Sequence, residues 1–172
     1  IALPEQMRAT GDPAEALEGA SLVILAIPAQ TLAMNLIAWR EFMEPDAVVV
    51  SLMKGIELGT MRRMSQIISE DGGIPADRVA VVSGPNLARE IAQRAPAATT
   101  VACPDEASAK RLQEACTTNY FRPYWTTDVV GAEIGGSVKN VIALANGMAV
   151  GLGYGANSQA SLITRGLAEM SR

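Results

Sequence analysis

Four short apolar runs, each followed by a stretch of helical character, constrain this chain more than any other feature. They occupy residues 22–27, 47–52, 79–82 and 98–102, and the first stops at Pro28. All are of strand length. The first three lack polar alternation, as strands buried on both faces of a parallel sheet do. Helix signals lie around them. Asp12-Pro13-Ala14-Glu15 offers an N-cap, a proline at the first helical position and a carboxylate in the first turn. Leu32, Leu36 and Ile37 give an apolar face after Thr31. Thr60 is expected to cap a helix with Met61, Met64, Ile67 and Ile68 inward, ending near Asp71-Gly72-Gly73. Asp105 is expected to cap another, carrying Ala109, Leu112 and Cys116. Strand–helix alternation of this kind predicts an open, mostly parallel α/β sheet with helices on both faces.

The alternation stops near Thr127. Residues 128–151 read as one long helix with Ile134, Val138, Val141, Ala145 and Met148 at helical spacing. A loop with Gly151, Gly153 and Gly155 follows, and Asn157 is expected to cap a second helix bearing Ala160, Ile163, Leu167 and Met170. The expected division is an α/β part at 1–127 and the first helices of an all-α part at 128–172.

Composition narrows the chemistry. Of 172 residues, 49% are hydrophobic and only 4% aromatic, so the core is aliphatic. Fourteen Lys and Arg against 18 Asp and Glu leave a net charge of −4, which argues against a basic groove for nucleic acid. The absence of histidine removes the commonest general base and the commonest metal ligand. Cys103 and Cys116 form no C-x-x-C or zinc pattern and are expected to be reduced thiols; no metal is expected. No run approaches the roughly 20 apolar residues that span a bilayer.

Lysine is scarce: Lys54, Lys110 and Lys139. Lys110 lies beside Arg111 and Glu114 on a polar helix face and reads as a surface lysine. Lys54 directly follows an apolar run and precedes Gly55. Ligands of open α/β sheets bind at the carboxyl ends of strands, where a cation suits an anionic substrate or cofactor. A lysine merely reaching out from a strand end is the alternative. Lys139 shares a helix surface with Ala132, Gly135, Gly136, Ala143 and Asn146. Two interior glycines cost a helix roughly 2 kcal/mol relative to alanine, so a close backbone or a ligand is expected against that face. A lysine there is expected to be partly stripped of water, as suits a base; a plain packing interface with Lys139 at its rim is the alternative. Ser83-Gly84-Pro85-Asn86 follows the third run, with Asn86 as an expected N-cap for Leu87 onward. Pro28 and Gln30 lie at the end of the first run and either touch a bound nucleotide or only turn the chain.

These residues resemble those of a known family. Met53-Lys54-Gly55, Ser83-Gly84-Pro85, the segment 128–143 with Lys139-Asn140, and the loop 151–157 running into residues 162–170 are similar to NAD(P)-dependent glycerol-3-phosphate dehydrogenases of the bacterial type. The resemblance spans nearly the whole chain. It implies a Rossmann-like sheet that holds NAD or NADP, followed by a helical substrate domain. It further implies cytoplasmic interconversion of glycerol 3-phosphate and dihydroxyacetone phosphate for glycerophospholipid synthesis, with no membrane span and with room for a homodimer.

Residue by residue, Lys139 matches the catalytic lysine that moves the carbinol proton. Lys54 matches an active-site lysine contacting substrate and cofactor, whose charge is expected to depress the pKa of Lys139 by repulsion. Gly84 matches a substrate-contacting glycine, and Ala88 a cofactor-contacting position. Asn140 is expected to orient the substrate. Asn86 stands where many members carry Ser or Thr in a substrate contact. The Gly-rich phosphate loop, and the residues that distinguish NAD from NADP, are expected before Ile1, and the Arg-Asn phosphate motif beyond Arg172, so the sequence resembles the middle of the enzyme. A dehydrogenase of another hydroxy acid with the same plan, or a non-catalytic piece that packs and oligomerises, are the competing expectations.

Overall fold

The structure is a computed structural model in which residues 5–172 are described. Five strands, β1 (Leu22–Leu25), β2 (Val48–Ser51), β3 (Val79–Ser83), β4 (Ala97–Ala102) and β5 (Phe121–Thr126), form one sheet in sequential order. β1, β2 and β3 run parallel, β4 turns back antiparallel on β3, and β5 pairs parallel with β4. The sheet is therefore mostly parallel, as the apolar runs require. β2 is buried at all four positions, and its side chains alternate between two cores. Val49 packs with Leu32 and Leu36 of α2 (Leu32–Trp39) and with Met64, Ile67 and Ile68 of α3 (Met64–Glu70). Val48 and Val50 face the other way, onto Ala109 and Leu112 of α5 (Glu106–Cys116). Helices thus cover both faces. β1 is different: Val23 and Leu25 are buried on one face, while on the other Leu22 packs on the second core and Ile24 is 53% exposed.

β5 was not legible among the apolar runs. It carries Arg122 and Pro123 and leaves Tyr124 exposed, the composition of an edge strand, where a proline costs no ladder bond. Its register comes from pairing with all six residues of β4.

Local signals held where a side chain could cap. Asp12 Oδ1 accepts from Ala14 N–H at 3.0 Å, opening α1 (Pro13–Leu17). Asp105 accepts from Ser108 N–H at 2.7 Å, opening α5. The Ser108 amide, with its hydroxyl second, holds the Asp105 carboxyl below its ordinary range. A depressed carboxylate stabilises the fold above its unfolded value, and the gain is lost as pH falls through its folded value. Thermal melts of Asp105→Asn are therefore expected to show a lower Tm than the parent at pH 7, with a gap that closes in acid.

Three expected caps move. Thr60 does not open α3, which starts at Met64. Residues 56–63 instead form a loop closed by an Ile56–Arg63 bridge, with Met61 exposed at φ 59°. Asn86 does not cap α4 (Ala88–Ala92); Leu87 holds that place while the Asn86 amide turns to β4. The last helix, α7 (Ala156–Met170), begins one residue ahead of Asn157, with Gly155 at its N-cap. Ile37 also departs from the expected α2 face and is exposed. Cys103 is buried and Cys116 half-buried; both are free, and burial pushes both thiols up.

The chain divides into two compact units, one ending at Glu133 and one spanning Ile134–Arg172. The long helix α6 (Val129–Gly151) begins in the first unit. There Val129 packs on Val81 and Ala102, and Glu133 is buried. Glu133 Oε1 accepts from Ser65 N–H at 2.8 Å, and Oε2 accepts from Ser65 Oγ at 2.5 Å and from Arg63 Nη1 at 2.7 Å. The carboxylate satisfies an orphan amide at the start of α3 from 68 residues away.

Within the second unit, α6 and α7 meet through small residues. A Cβ added at Gly166 would lie 2.7 Å from the Ile142 side chain, so glycine is required there. At Gly135 the neighbour is Met170 at 3.8 Å, an ordinary contact. Val141, Leu144 and Met148 of α6 are exposed, so the expected apolar face is only partly covered.

Candidate active site

The carboxyl ends of β1, β2 and β3 lie side by side, because those strands are parallel and in register. Chain reversals after each strand deliver the polar residues singled out from sequence. After β1, Pro28 accepts at its carbonyl from Thr31 N–H at 2.9 Å and from Thr31 Oγ1 at 2.8 Å, closing a 3-10 turn over residues 29–31. After β2 comes Lys54, and after β3 come Gly84 and Asn86. Lys54 Nζ donates to the Gly84 carbonyl at 2.6 Å. The same carbonyl accepts from Asn86 N–H at 2.9 Å. The fold therefore joins Lys54, Gly84 and Asn86, separated by up to 32 positions, in one hydrogen-bonded cluster.

Asn86 adds a further feature. Its Nδ2 donates to Thr99 Oγ1 of β4 at 2.7 Å, while its Oδ1 is buried with no hydrogen-bond partner among the described residues. A buried acceptor left unpaired costs free energy that a ligand's hydroxyl would recover. Thr99 was not singled out from sequence; only its polarity within an apolar run marked it.

Gly84 is required by close packing. A Cβ there would stand 2.8 Å from Thr99 Oγ1 and 2.9 Å from Thr99 Cα. Gly84→Ala is expected to cost about 2 kcal/mol, because backbone and not a flexible tip must yield; urea denaturation measures it. Gly55, between Lys54 and Ile56, has φ 145°, and a Cβ there would touch Ala29 at 3.4 Å. Ala88 is exposed at the start of α4, two positions past Asn86.

Gln30 Nε2 donates to the Ile56 carbonyl and its Oε1 accepts from Leu58 N–H, each at 2.9 Å. Its amide thus ties the chain reversal after β1 to the loop that follows Lys54, with one N–H and one acceptor position of the amide left over. Beyond it, Arg62 reaches Glu57, Glu70 and Asp71 at 2.9–3.0 Å. Bonding to Arg62 first, and to Thr60 second, holds the Glu57 carboxyl below its ordinary range.

Lys139 and Asn140 lie on α6 in the second unit, and both are exposed. The expected stripping of water from Lys139 is thus not met by the chain's own packing. On the same helix Asn146 Oδ1 is buried without a hydrogen-bond partner among the described residues.

A separate cavity of about 760 Å³ runs along the amino ends of β4 and β5, lined by Gln113, Asn119 and Arg122 among others; none of its lining residues was singled out from sequence. Among the described residues no three His, Cys, Asp or Glu side chains gather as a metal site. No helix among them is long and apolar enough to cross a membrane.

A mostly parallel sheet with helices on both faces is the Rossmann-like architecture that binds dinucleotides at the carboxyl ends of its strands, where Lys54, Gly84 and Asn86 stand here. Models of the N-terminal and C-terminal parts of NAD-dependent glycerol-3-phosphate dehydrogenase match residues 1–109 and 128–172. The chain belongs to that family. It is 62% identical over its whole length to the glycerol-3-phosphate dehydrogenase (NAD(P)+) of Streptomyces griseus, covering 51% of that protein. Among solved structures it is similar to glycerol-3-phosphate dehydrogenase from Coxiella burnetii (33% identity, TM-score 0.85, 98% of this chain and 51% of that one). It is also similar to the Saccharomyces cerevisiae enzyme (30% identity, TM-score 0.89, 99% of this chain and 50% of that one). The chain spans about half the length of the curated relatives it matches.

Proposed function

We propose that the protein interconverts glycerol 3-phosphate and dihydroxyacetone phosphate with NAD or NADP. The observation that carries this reading is the Lys54–Gly84–Asn86 cluster at the tip of the sheet, in a chain belonging to this family. The cluster suits a phosphorylated ligand. Lys54 is a cation standing where Rossmann-like sheets bind anions, and the buried Asn86 Oδ1 is an acceptor awaiting a hydroxyl donor. Lys54 and Ala88 would hold the dinucleotide, with Pro28 beside it; Lys54, Gly84, Asn86, Asn140 and Lys139 would hold the substrate. When bound, the nicotinamide supplies the hydride acceptor or donor.

In this reading Lys139 takes the proton from the C2 hydroxyl as the alcohol is oxidised and returns it to the ketone oxygen in reverse. Its exposure means that shielding from water comes from bound ligands or from protein outside this chain. Asn140 orients the substrate next to it. We further propose 1–127 as the dinucleotide domain and 128–172 as the start of the substrate domain. The resemblance extends the reading to the cytoplasm and to glycerophospholipid synthesis, and a homodimer is compatible with it.

The test is NADH oxidation by the protein in its natural length. Turnover with dihydroxyacetone phosphate, and none with unphosphorylated keto acids, is expected. The reverse preference would move the assignment to another hydroxy acid.

A further inference from the structure

We infer that Gln30 is a positioning residue for Lys54: its amide clamps the backbone just beyond Lys54 and so sets where the ammonium group stands. The inference rests on the reading of Lys54 given above. Gln30 Nε2 donates to the carbonyl of Ile56 and Oε1 accepts from the N–H of Leu58, both at 2.9 Å. A primary amide that donates to residue i and accepts from residue i+2 mimics a rung of a β-ladder, and fixes the orientation of the segment as well as its distance.

Gln30 is itself firmly based. Its 3-10 turn is closed by the two Thr31 bonds to Pro28, and it leads directly into α2, whose Leu32 and Leu36 are fully buried. The loop has a second anchor on its other side. Glu57 N–H donates to the Arg62 carbonyl at 2.9 Å, and the Arg62 guanidinium binds Glu57, Glu70 and Asp71. The same stretch is therefore held from two sides, Gln30 gripping Ile56 and Leu58 while Glu57 between them pairs with Arg62, and the Gln30 bond to Ile56 is the one nearer to Lys54.

Lys54 is exposed, and its ammonium reaches the Gly84 carbonyl at 2.6 Å from the end of a long stem, so the position of its backbone sets how that bond is made. Only Gly55 separates it from Ile56. Gly55 sits at φ 145°, a conformation that suits glycine, and a Cβ there would touch Ala29, the neighbour of Gln30, so the two segments run close together at this point. Releasing the clamp frees the Ile56 carbonyl, and the displacement passes through one glycine to Lys54. A misplacement of about 1 Å at a reacting group costs up to about 100-fold in rate. Losing one of two loop anchors is expected to cost less.

The experiment is a double-mutant cycle on the protein in its natural length, assayed with NADH and dihydroxyacetone phosphate well below its melting temperature. Gln30→Ala is expected to lower kcat/KM about 10-fold, Lys54→Met more, and the double variant no further than Lys54→Met alone. Independent structural damage would multiply the two losses, and that result overturns the inference. A Gln30→Ala protein within twofold of the parent overturns it as well. If Gln30→Ala does not fold, Gln30→Glu, which keeps the acceptor for Leu58, takes its place in the cycle under the same criteria. A normal cost at Lys54 with none at Gln30 removes the positioning role alone. Parent kcat/KM in Lys54→Met removes the reading of Lys54, and the inference with it.

Discussion

Turnover of the protein in its natural length is expected to fall on the order of a hundredfold when Lys139 is replaced by methionine, with NADH binding retained. The argument begins from scarcity. The chain has no histidine, and its lysines are Lys54, Lys110 and Lys139. Lys110 is engaged elsewhere: it pairs with Glu106 at 2.6 Å and stands over the Trp125 ring at 4.8 Å. Lys54 is bonded to the Gly84 carbonyl. Lys139 is the group the family resemblance assigns to proton transfer, and methionine preserves its stem and its helix propensity while removing the proton carrier. A loss confined to kcat fits a group acting in the transition state. Near-parent turnover would remove Lys139 from that role.

Glu133→Ala is expected to destabilise the first unit by about 3 kcal/mol, read as a lower urea midpoint at unchanged slope. The carboxylate is only 5% exposed and receives Arg63 and both polar groups of Ser65. Its removal leaves the Ser65 amide unsatisfied at the start of α3. Arg63, at 22% side-chain exposure, is able to rehydrate, which keeps the cost toward the lower end of the range for breaking a buried pair. Glu133→Gln keeps an acceptor for Ser65 N–H and is expected to lose distinctly less. Equal losses for the two variants would show that charge, and not the capping acceptor, dominates.

Glu133 also marks where pattern reading stops. Its segment suggested a helix, which the structure bears out, but nothing in its spacing pointed to Ser65. The apolar runs located β1 to β4 because strands inside a covered sheet leave short, nearly continuous apolar stretches in the sequence. β5 escaped because an edge strand needs no such pattern. Asp12 and Asp105 announced their helices because capping is local. Asn86 and Thr60 misled for the opposite reason: each found a partner outside the helix start it preceded, Asn86 in Thr99 and Thr60 in Glu57. Lys54, Gly84 and Asn86 were recognisable as strand-end residues, whereas their mutual bonds depend on parallel pairing of β2 with β3. Gln30 was visible as a strand-end residue too, but its task was not.

Sequence alone determined the alternation of elements, the aliphatic core, the scarcity of proton-carrying groups and the family motifs, because each is a property of spacing or residue type. Tertiary structure alone decided that Gln30 grips the loop after Lys54, that Glu133 caps α3, that Gly84 and Gly166 have no room for a side chain, and that Lys139 stands exposed. Those facts depend on distances between residues far apart in the chain, which exist only once the sheet register and helix packing are set.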